Sequence, residues 1–322
     1  MIRTMQKIMT SNVKVIILCI VLGNIQLSKL FAQNKLDKNS CEIIIHEADS
    51  LYNKVGYLEN AIKLYTKALY ECDYRKCEFN LSMAHALMGN NDSAFLHLNN
   101  VFAADSTLDL FKVGEYYLLL EDERWDDIVK KQINKIEKAG NKILKKDIAI
   151  KLSNMRIKDQ AYYYYLDKLS HEKQVKYWHY WEVKKEINRQ NLKDLEELIQ
   201  INGGWPKHSE VGKDINGAAF LIVQHSDLKT MEKFFPLLKE CAENNEAEKS
   251  HVALMTDRIN NDKGLKQIYG TQISVDMNLG IYFLDLNDVE DPKNLDKRRQ
   301  EMGLKPIEDY LKNWDAELRN KP

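Results

Sequence analysis

Residues 217–225 read Gly-Ala-Ala-Phe-Leu-Ile-Val-Gln-His, an apolar run that ends in two polar side chains. A helix that is apolar all round is buried inside a protein, so this run predicts a core helix. The helix would present Gln224 and His225 at its polar end. Because similar clusters of polar, aromatic and glycine residues follow apolar runs throughout residues 203–272, we expect a polar pocket there, supported by packed helices.

Composition indicates an ordinary globular protein with a mainly α fold. The chain has 322 residues, of which 44% are hydrophobic and 30% are charged, and its length suits two domains. Its 5 prolines and 13 glycines are few, which favours helices over a turn-rich β fold. The net charge is −1 and no basic cluster stands out, so nucleic acid is not expected as a partner.

The first 32 residues have the pattern of a secretory signal peptide. A basic segment ending at Lys14 precedes an apolar run over residues 15–22, and Ala32 supplies a small residue at the end. This apolar run is much shorter than the roughly 20 residues that span a bilayer, which disfavours a retained membrane anchor. Leu18 before Cys19 argues against a lipoprotein. We therefore expect a periplasmic or extracellular protein with no membrane span after removal of residues 1–32.

Residues 42–70 predict two amphipathic helices separated by a turn at Gly56. A shift of 33 residues maps the small residue Ala61 onto Ala94, and the larger residues four positions later also correspond. A small residue followed by an aromatic residue or leucine at this spacing resembles the tetratricopeptide repeat, which has about 34 residues. The resemblance implies a stack of helix pairs. Residues 108–136 are either a third, degraded pair or a cap.

The predicted domain order follows from this repeat. We expect a linker over residues 33–39, a tetratricopeptide-like repeat domain over 40–135 and a connecting helix over 136–158. Residues 159–322 would form a helical domain with a small β-hairpin near 272–286. The repeat domain would either bind a protein or peptide on a concave surface or act as a spacer, and the sequence leaves both alternatives open.

The cysteines do not predict a disulfide framework or a metal site. Cys41, Cys72, Cys77 and Cys241 remain after the signal peptide. Cys72 and Cys77 are close in sequence, but on one helix they would face different ways, so we interpret the cysteines as small buried residues. No Cys-x-x-Cys or paired-histidine spacing is present, and we expect neither a metal nor another cofactor.

The candidate ligand-binding residues lie in the C-terminal half and are polar or aromatic. They are Trp205, Gln224, His225, Asp257, Arg258, Tyr269, Thr271 and Gln272. Pro206 restricts the residue before it to an extended conformation, so we expect the indole of Trp205 to project from a loop.

A hydrolase would use His225 as general base and Asp257 to orient it, with Arg258 or Gln272 stabilising an anion. The sequence contains no Gly-x-Ser-x-Gly or His-Glu-x-x-His motif and no phosphate-binding glycine loop. The competing interpretation is structural, with the histidine bonded at a helix end and Asp257 and Arg258 in a network that reaches Tyr269 or the hairpin.

Several short phrases occur in a fixed order in the second half of the chain. They are Asp159-Gln160, Gly204-Trp205-Pro206, Gln224-His225, Asp257-Arg258, Tyr269-Gly-Thr-Gln272, and Arg299 with Gly303-Leu304. In this order they resemble an uncharacterised bacterial family over about residues 145–315. The chain departs from that pattern where four tyrosines follow Asp159-Gln160. The resemblance carries no activity.

Together these observations predict a protein- or ligand-binding module that combines helical repeats with a polar-pocket domain. The alternative is a hydrolase-type enzyme that uses His225 and Asp257.

Overall fold

The computed structural model describes residues 36–72, 76–104, 110–140, 142–169, 175–276 and 279–320. The predicted signal peptide lies outside these residues, as do residues 33–35 of the predicted linker and residues 73–75, where a Cys72–Cys77 bridge would have needed a helix break. The fold is mainly α, as predicted, with fourteen α-helices and one three-stranded sheet in the described ranges.

The helices of the described ranges are Lys38–Tyr52 (α1), Leu58–Glu71 (α2), Cys77–Leu87 (α3), Asn91–Ala104 (α4), Trp125–Lys138 (α5), Lys146–Gln160 (α6), Tyr163–Leu169 (α7), Val175–Asn202 (α8), His208–Val211 (α9), Lys213–Gln224 (α10), Leu228–Glu243 (α11), Lys249–Asp262 (α12), Leu295–Glu301 (α13) and Ile307–Lys312 (α14). The strands are Ser274–Asp276 (β1), Ile281–Asp285 (β2) and Glu317–Arg319 (β3). Short 3₁₀ segments lie at Leu110–Lys112, Gly114–Leu119, Leu286–Asp288 and Pro292–Asn294.

The chain divides into two compact units, residues 1–104 and residues 105–322. In the first unit α1 packs on α2, α2 on α3 and α3 on α4, so two helix pairs form where the 33-residue spacing predicts them. Ala48, Ala61 and Ala68 are fully buried between the helices. Their small side chains let the helix backbones approach, and Tyr65 and Leu81 fill the remaining space.

A disulfide joins Cys41 to Cys72, with their Cα atoms 5.8 Å apart. It links the first turn of α1 to the residue that caps the end of α2. The interpretation of all four cysteines as unbridged buried residues is therefore wrong, and the pairing of Cys72 with Cys77 that the sequence suggested is not formed. Cys77 and Cys241 are free and buried. The two helices run in opposite directions, which brings Cys72 beside a residue far away in sequence.

The second unit begins before the predicted connecting helix. Trp125 at the start of α5 packs against Tyr116, with ring centroids 5.9 Å apart, and its Nε1 donates to Oδ1 of Asn154 on α6 at 3.1 Å. Residues 110–138 therefore belong to the second unit, and the boundary follows Ala104 rather than residue 135.

Helix α10 lies at the centre of the second unit. It contacts α6, α8, α11 and α12, and Ala218, Ala219 and Val223 have no exposed surface. The apolar run over residues 217–223 therefore lies in the predicted core helix. Its last residue is Gln224, and His225 caps its carboxyl end.

The sheet lies at the C-terminal end of the chain in the order β1-β2-β3. The pair β1–β2 is the predicted antiparallel hairpin, and β3 pairs with β2 in parallel. Tyr310 and Trp314 are four residues apart in the sequence, a spacing that predicts one last helix over residues 307–318. Instead α14 ends at Lys312, Asp315 adopts a left-handed backbone with φ 49°, and Leu318 pairs with the buried Leu284. The chain leaves the helix because Leu318 then covers the apolar cluster around Leu284.

Within the described ranges, no helix is both long enough and apolar enough to cross a bilayer.

Candidate functional site

The side chains of Asp159 and His225 meet at the ends of two core helices. Asp159 lies in the last turn of α6, and its Oδ1 is 2.8 Å from Nδ1 of His225. The Asp159 side chain is 1% exposed and that of His225 is 28% exposed, so the carboxylate lies behind an imidazole that reaches the surface. An ionised carboxylate only accepts hydrogen bonds, so Nδ1 of His225 carries the proton and donates. The second ring nitrogen, Nε2, is then available to a ligand.

Two further side chains hold the carboxylate and the helix end that carries it. Nε2 of Gln160 donates to Oδ2 of Asp159 at 2.7 Å. The ammonium of Lys184 on α8 donates to the main-chain carbonyls of Asp159 and Lys158. These carbonyls belong to the last turn of α6, where the helix dipole favours a positive charge, and the Lys158 carbonyl also accepts from the N–H of Ala161 at 3.2 Å. Lys184 therefore caps α6 directly behind Asp159.

Lys184 is almost completely buried, with 1% of its surface exposed. Its Nζ lies 4.7 Å from the centroid of the Tyr163 ring, close enough for a cation–π contact. Burial lowers the pKa of Lys184 to about 8, and the negative charge of Asp159 partly opposes that shift. A buried lysine with a lowered pKa beside an aspartate is found at functional sites as well as in structural networks.

The turn that follows Asp159 is strained and tightly packed. Tyr162 has φ 67°, a left-handed conformation that is rare for a bulky aromatic residue. A Cβ atom at Gly114 would overlap the main-chain carbonyl of Gln160, so only glycine fits against this turn. Strain of this kind persists only where the surrounding structure holds it in place. Contacts from several elements therefore fix the position of Asp159.

The four consecutive tyrosines face different surroundings, as their spacing on a helix requires. Tyr164 is buried, whereas Tyr165 stacks on Tyr180 with centroids 4.5 Å apart and ring planes 9° apart. The ring centroids of Tyr162 and Tyr180 are 5.7 Å apart. The ring of Tyr163 lies 6.1 Å from that of His225 and so adds an aromatic wall beside the imidazole.

Asp257 has a different partner from the one predicted. It is completely buried on α12 and accepts hydrogen bonds from the main-chain N–H groups of Ile268, Tyr269 and Thr271, at 2.7, 3.0 and 2.9 Å. The hydroxyl of Thr271 also donates to it at 2.9 Å. The predicted orientation of His225 by Asp257 is therefore wrong, because the loop occupies the oxygens of Asp257 and Asp159 holds the histidine.

Other predicted residues belong to the same loop. Nη1 of Arg258 reaches Oε1 of Gln272 at 3.4 Å on the surface, and the main-chain N–H of Gln272 donates to Gln267 at 2.8 Å. The buried guanidinium of Arg299 donates to the carbonyl of Tyr269 at 2.6 Å. Together these contacts form a structural network that extends to Tyr269, the alternative to catalysis considered from the sequence.

Trp205 lies on the loop before α9, but its indole is turned inward and only 2% exposed. The expectation that this indole projects towards a ligand is therefore wrong. Nδ2 of Asn216 on α10 donates to the carbonyl of Pro206, which holds the loop against the core helix. The indole has a large apolar surface, and removing that surface from water stabilises the packing of this loop against the core.

The structure thus separates the eight predicted residues into groups. Gln224 and His225 lie at the end of α10, and Trp205 lies in the core. The remaining five lie at the loop that Asp257 clamps. Asp257 and Arg258 are on α12, and Tyr269, Thr271 and Gln272 are on the loop itself.

Sequence reasoning did not find Lys184. The helical spacing could have predicted its burial, because Lys184 precedes the buried Asn191 by seven positions and the buried Leu195 by eleven. That spacing places it on the buried stripe of α8.

One family matches part of the chain. Residues 179–319 match the sequence model of a family of unknown function (DUF6624). The match includes Lys184, His225 and Asp257 but not Asp159, and the first unit has no family match that would support its resemblance to tetratricopeptide repeats. No curated protein and no solved structure matches the chain.

Proposed function

We propose that the second unit is a ligand-binding module and that its ligand contacts the exposed edge of His225. The observation that carries this proposal is the 2.8 Å hydrogen bond between a buried Asp159 carboxylate and the partly exposed imidazole. The carboxylate sets which ring nitrogen is protonated and directs the other nitrogen outward. The ligand is a small polar molecule with a hydroxyl or N–H group that donates to Nε2 of His225.

The cost of this arrangement supports a binding role. Burying a charged side chain costs several kcal/mol unless partners compensate it, and both Asp159 and Lys184 are buried here. The adjoining turn also holds Tyr162 in a strained conformation. Such features concentrate at ligand sites, where they hold side chains in position before the ligand arrives.

We propose in addition that the protein is exported to the periplasm or the cell exterior. The N-terminal pattern is that of a signal peptide, and a disulfide between Cys41 and Cys72 persists in oxidising compartments. The first unit, with its two helix pairs, would bind a protein or peptide partner.

A probe titration followed by ¹⁵N NMR of the histidine side chains tests the binding proposal. The probes are glucose, N-acetylglucosamine, glycerol, alanine and the dipeptide Gly-Gly, each of which carries a hydroxyl or N–H donor. We expect at least one to shift Nε2 of His225 in a saturable manner, and His225→Gln to weaken its binding by tenfold or more.

His179→Gln is the matched control, because His179 is an exposed histidine on α8. This variant should bind the same probe as tightly as the wild type. A panel in which no probe perturbs His225, or in which both variants bind equally, contradicts the proposed site.

The second candidate function is hydrolysis by general acid–base catalysis. It is favoured by the same hydrogen bond, with Asp159 instead of Asp257 orienting His225 as the base. Nitrophenyl ester, phosphate and glycoside substrates test it. Turnover that is lost in His225→Gln and kept in His179→Gln would support an enzyme, whereas probe binding without turnover by the wild type would support the binding module.

A further inference from the structure

An open groove of about 410 Å³ lies beside the sheet and is lined by residues 280–282 and 314–317. Glu317, the first residue of β3, pairs with Phe283, so Ile281 and Tyr282 of β2 extend beyond the start of β3. The chain from Trp314 to Ala316 forms the other wall of the groove. The groove therefore opens where the parallel strands β2 and β3 begin.

Two aromatic side chains line this groove and remain accessible. Trp314 is 49% exposed and Tyr282 is 42% exposed. A single exposed aromatic residue needs no explanation, but two that share one groove provide the kind of surface that binds partners.

The exposed indole packs against a side chain that is itself held in place. Its ring lies edge-on to the ring of Tyr310, with centroids 6.4 Å apart, and the hydroxyl of Tyr310 donates to the carbonyl of Thr271 at 2.9 Å. Thr271 is in turn bound to Asp257, and the guanidinium of Arg299 lies 4.8 Å from the centroid of the Tyr310 ring. The clamped loop thus supports Trp314 through Tyr310. An aromatic side chain that is ordered before binding loses little conformational entropy when a ligand arrives.

The charge of the groove favours a cation. Asp315 and Glu317 are exposed at its edge, and no basic residue is among the described residues that line it. Glu317 also lies 3.7 Å from Arg319, which leaves Asp315 as the main acidic group for a ligand. An aromatic face beside a carboxylate is a favourable environment for an organic cation.

The same sheet already contains an example of this chemistry. The guanidinium of Arg319 lies 3.8 Å from the centroid of the Phe283 ring and 3.7 Å from Oδ2 of Asp276. That site is filled by the chain itself, whereas the groove between Tyr282 and Trp314 is open.

We propose that this groove binds a basic side chain, lysine or arginine, of a partner peptide. The cationic group lies against the faces of Trp314 and Tyr282, and the carboxylate of Asp315 pairs with it. The site is separate from His225 and does not depend on the function proposed above. It assigns a role to the network around Asp257, which is to hold an exposed aromatic anchor.

The test is an NMR titration with Nα-acetyl-argininamide at low salt, observed at the indole N–H groups. Nα-acetyl-citrullinamide is the uncharged control, because it has nearly the same shape as the arginine probe. We expect the arginine probe to shift the Trp314 resonance in a saturable manner while the exposed Trp178 serves as an unaffected reference. Asp315→Asn should weaken binding about threefold to tenfold, the range of a cation–π or exposed ion-pair contact.

Asp315→Asn is chosen because asparagine readily adopts the left-handed backbone of this position, so the turn should be retained. Asp262→Asn, which removes an exposed charge on α12, is the matched control and should bind like the wild type. The proposal is overturned if citrullinamide binds as well as argininamide, if Trp314 does not respond, or if Asp315→Asn and Asp262→Asn have the same effect. His225→Gln should leave this titration unchanged.

Discussion

Asp159 and Asp257 are both buried carboxylates, and their partners distinguish their roles. Asp257 accepts hydrogen bonds from main-chain and side-chain groups of one loop, which makes it a structural clamp. Asp159 accepts from the imidazole of His225, a side chain that reaches the surface. The neighbouring residues in the sequence do not show which aspartate belongs to the candidate site, because each aspartate is followed by a polar residue at a helical position.

The buried ammonium of Lys184 predicts a pH dependence of stability. Its pKa is lowered by burial from 10.5 to about 8, so between these pH values the unfolded chain binds more protons than the folded one. The free energy of unfolding should therefore rise with pH across this window, and the contribution of Lys184 should be constant below about pH 8. The full contribution of Lys184 is about 3 kcal/mol, taking about 1.36 kcal/mol for each pKa unit.

Urea denaturation at pH 7.5, just below that window, and at pH 10, near its upper end, measures the effect on the free energy of unfolding. The result is compared between variants. Lys184→Met should lack the rise that the wild type shows, and Lys185→Met, on the exposed side of α8, should retain it. An identical pH dependence in Lys184→Met and the wild type would contradict a lowered pKa of Lys184 in the folded state.

At the scale of elements, the loop over residues 267–272 has almost no regular structure and is held by side chains. Asp257 binds it from α12, Arg299 from α13 and Tyr310 from α14. These contacts join three helices that pack little against one another directly. The loop therefore connects the helical core to the small sheet.

Asp257→Asn should destabilise this clamp. The amide keeps one oxygen acceptor but directs its NH₂ group at main-chain donors, so buried N–H groups lose their partner. We expect a loss of about 2–4 kcal/mol in the free energy of unfolding of the second unit, measured by chemical denaturation. Asp262→Asn, at an exposed position of the same helix, should cost less than about 0.5 kcal/mol. Equal effects of the two substitutions would show that the hydrogen bonds to the loop do not stabilise it.

At the scale of the whole molecule, the two compact units have separate stabilising features. The first unit contains the disulfide between Cys41 and Cys72, which are 31 residues apart. The second contains the helical core around α10 and the clamped loop. Units with their own cores can unfold independently.

Reduction of the disulfide should therefore lower only one thermal transition. A loop of this length corresponds to a stabilisation of roughly 3–4 kcal/mol in the chain-entropy description. Calorimetry should show a lower Tm for the first unit after reduction, with no change for the second, and Cys41→Ser with Cys72→Ser should reproduce that result without reductant. Asp257→Asn should lower the other transition alone. A single transition shifted by both changes would contradict independent units.

The sequence alone determined the helical class, the buried helix α10, the positions of the first two helix pairs and the hairpin β1–β2. These features depend on apolar periodicity and turn residues within short segments, and such local preferences act before distant parts of the chain meet. Only the tertiary structure decided that Cys41 pairs with Cys72, that Trp205 turns inward and that β3 replaces the end of a helix. Asp159 and His225 are 66 residues apart, and no local pattern specifies which carboxylate reaches the imidazole. That choice follows from the packing of α6 against α10, with Lys184 capping α6 and the loop already occupying Asp257.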